Sequence, residues 1–103
     1  MRIVVIGDES VVQGFALVGV EGEVVHTADE VRAALARWMA ASDVGLVLIT
    51  SDVASLVRAE VDDLKLHSLE PLVVEIPGSG ETQPRTGVRA LVEQTLGIRL
   101  GGD

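Results

Sequence analysis

Arg2-Ile3-Val4-Val5-Ile6-Gly7-Asp8-Glu9-Ser10 is the stretch that decides the fold. Its four aliphatic residues, Ile3–Ile6, leave no polar face, and a strand without one is covered on both sides, as in the middle of a parallel sheet. Gly7 allows a tight turn, and Asp8, Glu9 and Ser10 put acidic and capping groups where a helix begins. A buried strand running straight into a capped helix is the first unit of an α/β sheet.

The same pattern returns along the chain. The predicted first helix runs through Val11, Val12, Phe15 and Leu17, weakened by Gly14 and Gly19. Glu23-Val24-Val25-His26 is short with polar ends, as an edge strand is. Thr27-Ala28-Asp29-Glu30 spells a capping box, and Val31, Leu35, Trp38 and Met39 follow as one apolar stripe. Val44–Ile49 is a second central strand, after which Ser51 and Asp52 are expected to cap a helix with the stripe Val53, Leu56 or Val57, Val61 and Leu64. Leu72–Ile76 reads as the last strand, with Glu75 as a charge suited to an edge. Residues 77–85, rich in Pro, Gly and Ser, read as a flexible loop, and Val88, Leu91, Val92 and Thr95 mark a short C-terminal helix within 86–103, capped by Gly97 and followed by a tail. Right-handed crossovers then give one domain over residues 1–103: a three-layer α/β/α sandwich on a four-stranded parallel sheet, order 2-1-3-4, with its sheet core in 1–76.

Composition narrows the function. A chain of 103 residues buries roughly 65 per cent of its unfolded surface around one core. With one Trp, one Phe and no Tyr, aromatic platforms for bases are scarce, and a net charge of −8 repels nucleic acid and anionic lipid. Cysteine is absent, which excludes disulfides, thiolate catalysis and cysteine-ligated metals. No stretch approaches the length of a membrane span, and the apolar start ends too soon for an export signal, so a soluble cytoplasmic protein is expected.

Ligands of parallel sheets bind beyond the carboxyl ends of the strands. Those ends carry Asp8, Glu9, Thr50, Ser51, Asp52 and the loop Gly78-Ser79-Gly80. A phosphoryl-accepting receiver domain is the enzymatic alternative, since Asp8, Glu9 and Asp52 fit its acidic set loosely. Ile76-Pro77 stands where its hydroxyl belongs, and the one lysine, Lys65, lies on a helix. The glycine loop has Glu81 where a phosphate-binding loop needs a cation. His26 and His67 have no second ligand at helical spacing, and Ser10 and Ser51 lie outside any nucleophile motif. Capping and surface roles account for these residues, and no catalytic residue, metal or cofactor is expected.

Five segments in order, "RIVVIGDE", "GFALVGVEG" at Gly14–Gly22, "LVLITSDVASLV" at Leu46–Val57, "PLVVEIPGSG" at Pro71–Gly80 and "VEQTLGIRL" at Val92–Leu100, give the chain a resemblance along nearly its whole length. It resembles the F subunit of the V-type/A-type ATP synthases (vacuolar-type ATPases). The resemblance implies a non-catalytic central-stalk, or rotor, component. Its partners would be the helical-hairpin D subunit and the A and B subunits of the catalytic hexamer, coupling ATP hydrolysis or synthesis to proton or sodium transport. It also implies attachment to the membrane through protein alone, and modulation of ATPase activity by the C-terminus, here a short arm ending three residues after Leu100. For a stalk protein the expected partner interface is Val11, Phe15 and Leu17 with the Gly14–Gly22 turn, together with Ile98 and Leu100 beyond the last helix cap.

Overall fold

A computed structural model describes residues 2–78. Four parallel strands, β1 (Arg2–Gly7), β2 (Glu21–Val24), β3 (Val44–Thr50) and β4 (Leu72–Ile76), form one sheet in the order β2-β1-β3-β4. Between them lie α1 (Glu9–Ala16), α2 (Ala28–Ala40), α3 (Ser51–Ala54), a 3₁₀ turn (Ser55–Val57) and α4 (Arg58–His67). The expected topology is therefore the observed one. The expected C-terminal helix, Ile98 and Leu100 fall outside the described residues.

Alternation along the central strands divides the core in two. Val4, Ile6, Val47, Ile49 and Val73 meet Val31, Leu35 and Trp38 of α2 and Val53, Val57 and Val61 of the third connection. Val5, Leu48 and Ile76 meet Val11 and Phe15 of α1 on the other face. One helix thus serves one face and two connections the other, the arrangement that the reversal of strand order between β1 and β3 produces.

Local chemistry sets the boundaries. Asp8 is the N-cap of α1, its Oδ1 accepting from the Val11 amide at 3.0 Å. The chain leaves α1 through Gly19, whose φ of +85° is a conformation that suits glycine. At α2 the capping box is complete: the Glu30 amide donates to Thr27 Oγ1 and the Thr27 amide to Glu30 Oε1, both at 3.2 Å.

Three expectations are corrected. The second strand lies at Glu21–Val24, two residues ahead of the Glu23–His26 segment, because its place is fixed by pairing with β1, Val4 beside Glu21 through Gly7 beside Val24. Val25 then turns its side chain into the core while its amide donates to the Gly7 carbonyl at 3.1 Å. Likewise Ser51 and Asp52 do not cap: the helix begins at Ser51, and its N-cap, Thr50, makes no side-chain capping bond. The single helix expected after β3 is interrupted at Val57, whose φ of −137° and ψ of 50° leave helical space. That break buries Val57 and leaves Leu56 46% exposed, resolving which of the two continues the stripe.

Candidate functional site

The carboxyl ends of β1 and β3 meet where the strand order reverses. Asp8 is occupied as a cap, and Glu9 sits exposed in the first turn of α1, 3.5 Å from Gln13 Nε2. Asp52 is exposed in the first turn of α3, beside Gly78. Between the strands, Thr50 is fully buried and packed on Gly7 so closely that a Cβ on Gly7 would stand 2.5 Å from Thr50 Cγ2. The strand ends are thus held together by a close contact between Thr50 and the Gly7 backbone.

The remaining candidates are scattered. His26 pairs with Glu30 at 3.7 Å and His67 with Asp63 at 3.0 Å, each within its own helical neighbourhood. Among the described residues no group of three His, Cys, Asp or Glu side chains is placed to hold a metal ion. Lys65, which a receiver site would need beside its acidic set, is held by Glu75 at 3.0 Å at the far edge of the sheet.

That edge carries a dense charged cluster. Arg58 grips Glu75 with both arms, Nη1 to Oε1 at 2.7 Å and Nη2 to Oε2 at 3.0 Å. The Arg58 hydrogen bonds, with Lys65 adding to them, hold the Glu75 carboxyl at about 2, against the opposing effect of its partial burial. Glu75 is therefore a clamp joining α4 to β4, and only 19% of its side chain meets solvent. On the other edge Glu23 accepts from Arg37 and from Trp38 Nε1, tying β2 to α2, and pushes the Arg37 guanidinium pKa up.

The expected interface residues separate. Val11 and Phe15 are 1% and 0% exposed, facing Val5 and Leu48 beneath α1, so they are corrected to core positions. Their spacing of four is one helical turn, which puts both on the face that meets the sheet. Leu17, two positions on, is 87% exposed, with Val18 beside it at 37%.

A second apolar surface lies at the opposite edge. Leu66 and Leu69 are 78% and 83% exposed, and Leu72 is 41% exposed. Sequence reasoning missed this group, although Leu66 falls off the Val57–Val61–Leu64 stripe and Leu69 stands between a helix end and Pro71, where no core position was expected. The surface chemistry of the described residues is thus exposed leucines on an acidic shell, a composition suited to holding another protein.

Comparison with known proteins agrees with that character. The family described as ATP synthase (F/14-kDa) subunit matches residues 3–92. The chain is 31% identical to the F subunit of the A-type ATP synthase of Thermococcus kodakarensis over 106 residues, covering 97% of this chain and 98% of the relative. It is 30% identical to that of Thermococcus sibiricus with the same coverage. It is also 30% identical to that of Methanothermobacter thermautotrophicus, over 96% of this chain and 95% of the relative.

Proposed function

The chain belongs to the ATP synthase (F/14-kDa) subunit family, and on that footing we propose that it is the non-catalytic F subunit of the central stalk in a V/A-type rotary ATPase. The carrying observation is similarity along the full length of A-type F subunits, 95% to 98% of three relatives' own chains. In this reading the domain is seated on the D subunit and turns inside the A/B hexamer, transmitting torque between ATP chemistry and proton or sodium flow. Its C-terminus modulates ATPase activity, and Ile98 and Leu100 belong to the interface with the stalk partner.

The physical character of the domain supports this role. A rotor part must be stiff, and the sheet here is packed on both faces with its edges clamped by the Arg58–Glu75 and Arg37–Glu23 pairs. It must offer apolar surface to neighbours, as Leu17 does. No helix of the described residues is long and apolar enough to cross a membrane, and in this proposal the protein is held at the cytoplasmic side of the membrane through its partners.

The test is to tag the chain, extract membranes of its own host in mild detergent and identify what is recovered with it. Near-stoichiometric A, B and D subunits are the expected result. Recovery of the chain alone, or with a kinase, would instead favour a receiver-like signalling domain.

A further inference from the structure

We propose that the corner where α4 meets β4, built on Leu66, Leu69 and Leu72, is the seat of a helix from the stalk partner, a helix whose contact face is apolar and flanked by Lys and Arg. The inference rests on the stalk reading above and adds to it the surface and the chemistry of the contact.

Three features carry it. Scattered exposed leucines are ordinary, but here three lie within seven residues of chain, two of them about four-fifths exposed. An antiparallel bridge sets Leu69 directly beside Leu72, so at least these two form one surface. Leu69 also borders an open hollow of about 500 Å³, together with Ser42, Asp43, Val44, Gly45 and Glu70, which gives a convex partner a place to insert side chains.

Charge selects the occupant. Residues 2–78 hold thirteen acidic and five basic side chains, and all five basic ones are already in ion pairs. The surplus is negative throughout, and at this corner it includes Asp63, 68% exposed and opposed by His67, and Glu70, which has no cation partner among the described residues. A second copy of the chain would bring acid against acid, whereas a basic helix meets both the leucines and the carboxylates favourably. Addition of a strand is disfavoured, because the Leu69 bridge occupies the start of the β4 edge.

The test uses the full chain and the recombinant D subunit of the same organism. The double variant Leu66→Asp/Leu69→Asp is compared with Leu17→Asp by titration calorimetry, after circular dichroism has shown that both melt like the parent. The expected result is a loss of affinity for the D subunit of at least about 30-fold for the double variant, a smaller loss for Glu70→Lys, and weakening of parental binding as salt rises. Parent and double variant binding the D subunit equally would overturn the surface and leave the stalk reading standing. Failure of the parent itself to bind it would overturn both. A dimer of the chain alone that Leu69→Asp dissolves would assign the corner to a second copy, against the proposal.

Discussion

Adding one methyl group at Gly7 should destabilise the protein measurably, and removing two atoms from Thr50 should reverse it. Gly7 ends β1 beside Thr50 at the end of β3, and Thr50 is wholly buried. An alanine Cβ there would lie 2.5 Å from Thr50 Cγ2 and 2.8 Å from Oγ1. Carbon atoms in contact settle at roughly 3.5–4.0 Å, so one of two central strands must move by about 1 Å or the threonine must leave its rotamer. Overpacking of that kind costs about 1–3 kcal/mol. For a domain of this size the melting temperature should fall by roughly 4–8 °C for each kcal/mol. In Thr50→Ala the clashing Cγ2 and Oγ1 are gone, leaving a Cβ contact at 3.3 Å. That substitution also removes a buried hydroxyl with no hydrogen-bond partner among the described residues, so its own cost should be small. Gly7→Ala in the Thr50→Ala background should then cost at least about 1 kcal/mol less than in the parent. Urea unfolding followed by Trp38 fluorescence measures all four proteins. Additive effects, or a Gly7→Ala protein within about 0.5 kcal/mol of the parent, would refute the packing argument.

Three further outcomes follow from the geometry. Because the Glu75 carboxyl is lowered from 4.5 to about 2 in the folded protein, its stabilisation is present above pH 4.5 and disappears as pH falls toward 2. Glu75→Gln should therefore lose on the order of 1 kcal/mol at pH 7, since solvent reaches the Arg58 side of the pair, and much less near pH 2, as read from melts across that range. Thr27→Ala, which breaks the α2 capping box, should cost about 1 kcal/mol in urea unfolding. Phe15→Ala should cost about 3–5 kcal/mol and Leu17→Ala within about 0.5 kcal/mol, since one is fully buried and the other 87% exposed; equal effects would show that α1 is seated otherwise.

The sequence displays β1, β3 and β4 because each is dominated by aliphatic residues, broken only by Gly45 in β3 and Glu75 in β4, and it displays α2 because Thr27 and Glu30 stand three apart before an apolar stripe. What it hides is set by tertiary partners. The bounds of β2 depend on β1, its parallel neighbour, and no local signal in Glu21-Gly22-Glu23-Val24 conveys that register. The break at Val57 depends on packing two short helical segments over one sheet face. For the candidate surface, the i, i+4 spacing of Val11 and Phe15 already signals a core face, and Leu17 lies beyond the helix end. Glu75 looks like a solvated edge charge until α4 brings Arg58 and Lys65 onto it from seventeen and ten residues away. The leucine corner is invisible for the same reason: Leu69 and Leu72 become one surface only when the chain turns back on itself.

The central claim is that this chain turns with the stalk. It has no cysteine, so Asp29→Cys, a position whose side chain is 96% exposed at the start of α2, gives a single attachment point for a bead. With the A/B hexamer fixed to glass and the bead on this chain, added ATP should drive steady unidirectional rotation of the bead. A bead that stays fixed while a second one on the D subunit rotates would place the chain outside the rotor and contradict the account.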